Sequence, residues 1–152
     1  LSGVWPAVQR RLESGQLSPD PLTVPAAIES EAQEQSARLT AGQAQWLAYT
    51  VLRHSGVTRG QTATGAYAAG VRWGLSKPDA VIGVAELILM EEPVAAQARR
   101  EAADLALREL HGSDVVMTLL RLNEVLDAVR EGSETAVQRA ELLQVGAPPA
   151  NV

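Results

Sequence analysis

Between Ala80 and Met90 the chain has almost no polar side. Ala80, Val81, Ile82, Val84, Ala85, Leu87, Ile88, Leu89 and Met90 leave Glu86 as the one charged interruption. A helix that is hydrophobic all round is a buried one. The run is also far short of the roughly 20 residues that a membrane span needs. It must therefore be enclosed by other parts of the same chain. The residue types around it are dominated by Ala, Leu, Arg, Glu and Gln, which are strong helix formers. The expected fold is all-α: a single compact multi-helix bundle of seven or eight helices, with a buried central helix near residues 77–91.

The start of that helix belongs to a regular series. Thr40-Ala-Gly-Gln43 and Thr58-Arg-Gly-Gln61 stand eighteen residues apart, and Ser76-Lys-Pro-Asp79 follows after another eighteen. The first two match the capping-box pattern, in which a Thr hydroxyl and a Gln three residues on satisfy each other's free backbone N–H groups. Ser76 can cap in the same way, with Pro78 and Asp79 suited to a first turn. Gly56 and Gly74 fall where a left-handed residue would close each preceding helix. Three consecutive helices of about fourteen residues are predicted. The middle one carries Gly65 and Gly70 in its interior, each costing roughly 0.5–1 kcal/mol relative to Ala. Thr62, Ala66, Gly70 and Gly74 share one face of it. This small-residue stripe predicts a close helix crossing, with Gly65 in register with Gly83.

Residues 1–22 read as an N-terminal arm with a short helix from about Trp5 to Ser14, followed by the turn-rich Ser18-Pro19-Asp20-Pro21. Residues 23–145 read as the helical domain, opened by Thr23 as N-cap with Pro25 in the first turn. After Glu92-Pro93, amphipathic helices are expected over about Val94–Leu110, Asp114–Arg130 and Ser133–Val145. Glycines 112 and 132 separate them, with Ser113 and Ser133 as caps. Residues 146–152 read as a flexible tail.

Composition narrows the function. The net charge of −5 argues against a nonspecific nucleic-acid binder, since such domains are basic. Without cysteine there is no disulfide, thiolate ligand or thiol nucleophile. One Lys beside twelve Arg points to a GC-rich bacterial genome, and a cytoplasmic location is expected. Both histidines precede a glycine (His54 before Ser55-Gly56, His111 before Gly112), where a cationic side chain suits the end of a helix. No nucleophile–base pair, phosphate loop or zinc spacing occurs, so no catalytic residue, metal or cofactor is implied.

Two local patterns resemble known families. Glu31-x-x-Glu34 and Glu101-x-x-Asp104 each put two acids on one helix face, as a divalent-cation site would. Helical nucleotide pyrophosphatases of the MazG type are similar in using such pairs. Here seventy residues separate them, and solvated faces explain them. The segment from Gly65 to Ile82, a small-residue helix, a Gly-Leu-Ser turn and an apolar helix, resembles the helix after the active-site cysteines in carboxymuconolactone decarboxylase and AhpD-type proteins. Where that family has its thiols and histidine, this sequence has Arg59, Thr62 and Ala66, so the family chemistry does not carry over.

Three functional expectations follow. The first is a noncatalytic module for protein–protein interaction or oligomerisation, with a homo-oligomer as the expected partner and no membrane. The second is a helix-turn-helix DNA regulator using the 40–73 helix pair, with Arg59, Gln61, Thr62 and Thr64 at the start of a recognition helix. The third is a small-molecule binder or enzyme using Trp46, Tyr49, Tyr67 and Trp73. These are four of the five aromatics, fall within twenty-eight residues and carry polar handles suited to a pocket or interface.

Overall fold

The computed structural model describes residues 3–144, with side chains through residue 128. Among the described residues there are seven helices and no strand: α1 Val4–Glu13, α2 Thr23–Glu34, α3 Ala41–His54, α4 Arg59–Arg72, α5 Lys77–Glu91, α6 Ala95–Glu109 and α7 Ser113–Gln144. The all-α bundle with a buried central helix is what the sequence demanded. Helix α5 packs against α3, α4, α6 and α7, and Ala80, Val81, Val84, Ala85 and Ile88 are fully enclosed. One apolar core surrounds α5 and takes in Leu105, Leu122 and Leu126. A second joins α1, α2 and α3 through Val4, Val8, Ile28, Leu47 and Leu52. Trp46 packs against both. The N-terminal arm is thereby docked on the body, and Gln35 Nε2 donates to the Gly3 carbonyl at 3.0 Å beside it.

The eighteen-residue series is real in the backbone. Thr40 and Gln43 form the reciprocal capping box, with bonds of 2.9 and 3.1 Å. At Thr58 only half of the expected box forms, the hydroxyl accepting from the Gln61 N–H at 3.3 Å, and Ser76 accepts from the Asp79 N–H at 3.2 Å. Gly56 and Gly74 adopt φ of 80° and 97°. Each turns the chain so that the next N–H, of Val57 and of Leu75, bonds back to Leu52 and Gly70 at 3.1 and 2.9 Å.

Helix α2 begins differently from expectation. Thr23 lies inside its first turn, and Asp20 holds the entry by accepting from the Leu22 N–H at 2.7 Å. It ends on Ser36, a non-glycine residue at φ 52°, with Ala37 bonding back to Ala32 at 2.8 Å. A left-handed Cβ costs about 1–2 kcal/mol, while glycine's extra freedom in the unfolded chain costs roughly 0.4–1 kcal/mol. Ser36→Gly is therefore expected to stabilise the protein by about 0.5–1 kcal/mol, raising the urea midpoint at constant slope.

The expected break at Gly132 does not occur: α7 is one helix of 32 residues, close to 48 Å long. Gly56 and Gly74 are each followed by an apolar residue that can pack back on the helix end, whereas Ser133 follows Gly132. A lone glycine costs a helix only about 1 kcal/mol, too little to stop one flanked by good helix formers. Ser113 is the first residue of α7, following Gly112 at φ 59°. His111 lies beyond the end of α6, not in its last turn. The expected tail at 146–152 lies outside the described residues.

The glycines do not face one another as the register suggested. Gly65 lies against Leu52 and Pro21, while Gly70 and Gly83 both face the side chain of Gln45. A Cβ on Gly70 would stand 2.5 Å from Gln45 Nε2, and one on Gly83 would overlap its Oε1. Gln45 is only 2% exposed. Its amide donates to the Ala66 carbonyl of α4 at 3.2 Å and the Ala80 carbonyl of α5 at 3.0 Å. Helix carbonyls have a second lone pair free, so one buried amide ties three helices together.

Candidate functional site

The ends of α3 and α5 converge on a groove of about 260 Å³. Thr50, on the turn after Trp46, and His54, on the turn after Thr50, lie along its α3 side, while Leu87 and Met90 form the α5 side. Trp5 of α1 backs this wall, its ring 5.2 Å from that of Trp46 at a 47° tilt and 5.5 Å from His54 nearly edge-on. Such tilted aromatic pairs add about 0.5–1.5 kcal/mol beyond their burial. Met90 stands at the mouth, 72% exposed. Its exposure follows from its face: Glu86, four residues earlier, is exposed on the same side, whereas Ile88 and Leu89 in the same last turn are buried.

The polar end of the groove is organised by Glu91. The Tyr49 hydroxyl donates to its Oε2 at 2.6 Å, and Arg53 donates through Nη2 and Nε to Oε1 at 2.7 and 2.9 Å. Arg59 Nη2 reaches Glu91 Oε1 at 3.3 Å and Glu92 Oε2 at 2.9 Å. Arg53 Nη1 also bonds the Val57 carbonyl at 3.0 Å, closing the turn between α3 and α4. Partial burial would raise the Glu91 pKa. The hydrogen bonds from Arg53 and Tyr49 and the charge of Arg53 outweigh it and hold the carboxylate below its ordinary range. Burial, then the bond and charge of Glu91, push the Tyr49 phenol above its ordinary value, so it stays a donor. Arg59 lies partly buried, which lowers its pKa, but its bonds to Glu92 and Glu91 raise it overall. Two arginines and two glutamates cancel, leaving no unbalanced formal charge among these four groups.

No family model, curated protein or solved structure matches the chain. The geometry therefore carries the functional reading.

The four aromatics do not converge. Trp46 and Tyr49 share the groove, as their i, i+3 spacing allows. Tyr67 is in the core beside α5. Its hydroxyl has no partner among the described residues, and burial, then the Glu109 charge, raises its pKa. Trp73 lies past the end of α4, in a separate depression of about 390 Å³ with Glu29 and Arg72, which pair at 2.9 Å. Nor do the four DNA-contact candidates form one accessible face. Arg59 is committed to Glu91 and Glu92, and Thr62 is fully buried. Thr64 donates to the Gly60 carbonyl at 3.2 Å and accepts from Arg108 at 3.4 Å, while Gln61 is exposed. Among the described residues, no three His, Asp or Glu side chains gather as metal ligands would. None of their helices is long and apolar enough to cross a membrane.

Sequence reasoning missed Trp5, Met90 and Glu91 as site residues. Glu91 carries no local signal of a site, and only its meeting with Tyr49 and Arg53, some forty positions away, gives it a role.

Proposed function

We propose that the protein is a noncatalytic helical interaction module that pairs with a second copy of itself through the α6–α7 hairpin. The observation that carries this reading is a set of large apolar side chains left in water. Val116, Met117 and Leu120 are 60%, 61% and 59% exposed, and they form a ridge on two successive turns of α7. Leu107, on the neighbouring helix of the same hairpin, is 63% exposed. Apolar groups gathered on one surface mark interaction sites, whereas single exposed ones need no explanation. The inward side of α7 is already served by Leu122 and Leu126 in the core, so the ridge is surplus to folding. The length of α7, about twice that of α5 or α6, supplies an extended surface for a partner. The commitment of Arg53, Arg59, Glu91 and Tyr49 to one another supports a structural role for the most concentrated polar groups.

Sedimentation equilibrium tests the proposal. The native chain is expected to show a concentration-dependent dimer. Leu120→Glu places a charge on the ridge without touching the core and is expected to weaken association at least about tenfold. A strictly monomeric mass up to several hundred micromolar would overturn it.

A further inference from the structure

We infer that the groove between α3 and α5 is a binding site for a small, uncharged aromatic molecule. This is independent of self-association, which uses exposed side chains of α6 and α7 that do not line the groove. Three observations define the ligand. The first is the walls: the Trp46 ring, held by Trp5, stands with Leu87 and the exposed Met90 thioether. Aromatic faces and methionine sulfur both favour a flat aromatic guest. The second is charge. Glu91 already accepts from Tyr49, Arg53 and Arg59, and the two arginines are matched by Glu91 and Glu92. A cationic guest would meet Arg53, and an anionic one would meet Glu91, with no free counter-ion for either. The third is size. At about 260 Å³ the groove falls just under the range of roughly 300–1,000 Å³ usual for ligand pockets, which suits one or two fused rings. Thr50 and His54 at the α3 side offer hydroxyl and imidazole partners for one polar edge of the guest.

Indole, benzoate and benzylammonium are the probes, titrated into the full chain and followed by NMR at the Trp46 indole N–H and the Met90 methyl group. Saturable shifts at both signals with indole, and weaker binding of both charged probes, are expected. Met90→Gln removes the thioether from an exposed position that folding does not need. It is expected to weaken indole binding roughly twofold to tenfold, the equivalent of a sulfur–aromatic contact. No saturable shift with indole up to its solubility, tighter binding of benzoate or benzylammonium, shifts confined to other residues, or unchanged indole affinity in the folded Met90→Gln protein would each overturn the assignment.

Discussion

Gly83→Leu is expected to destabilise the protein by about 3 kcal/mol or more, a large share of the roughly 5–15 kcal/mol that holds a domain folded. The first added carbon would already overlap Gln45 Oε1, and a leucine adds three more. Gln45 cannot swing aside cheaply. Its amide is bonded to the Ala66 and Ala80 carbonyls and enclosed by α3, α4 and α5. Displacing it would bury an amide without its partners, itself a penalty of about 1–3 kcal/mol. Gly70→Leu presses on the same amide from the α4 side, where a Cβ would stand 2.5 Å from Nε2, and should behave alike. Urea unfolding followed by circular dichroism measures both. Native-like midpoints would mean that this part of the interior is open.

Glu91→Ala is expected to cost about 1–3 kcal/mol at pH 7. The lower part of that range applies to the extent that solvent reaches the pair, since Arg53 and Glu91 side chains remain 31% and 27% exposed. Removing the carboxylate leaves Arg53 and Arg59 facing one another and the Tyr49 hydroxyl without its acceptor. The loss has a defined pH dependence. The folded-state pKa of Glu91 lies below its ordinary value of 4.5, so its contribution is fully present above that value and fades as pH falls through the lower folded one. The stability gap between native protein and Glu91→Ala should therefore hold from pH 7 to about 5 and narrow below about 4.5. A gap unchanged at pH 3 would mean that the carboxylate does not act through its charge.

Local signals made the helices legible. Thr40, Thr58 and Ser76 cap as their side-chain chemistry dictates, and the apolar run after Asp79 could only be central. Where two stop signals reinforced each other, as at Gly56-Val57 and Gly74-Leu75, the helix ended. Gly132 lacked the second signal and α7 ran on. The small-residue stripe correctly announced a close approach but not what approaches. Gln45 is a common helix former between Ala44 and Trp46, and nothing near it in sequence distinguishes a buried amide from a solvated one. The groove was half legible for the same reason. Trp46 and Tyr49 share a helix face, whereas Met90, Glu91 and Trp5 join them from roughly forty positions away. Arg59 and Thr62 looked available because a sequence does not show that Glu91 and Glu92 would claim the first or that α4 would turn the second inward.

The glycines of α4 and α5 make room for the Gln45 amide, and that single buried group sets how α3, α4 and α5 meet. A double-mutant cycle between Gly83→Ala and Gln45→Ala tests this most directly. Gly83→Ala should be clearly destabilising in the native background and at least about 1 kcal/mol less so once Gln45 is truncated, a coupling expected only of groups in contact. Additive effects, within about 0.5 kcal/mol, would contradict it.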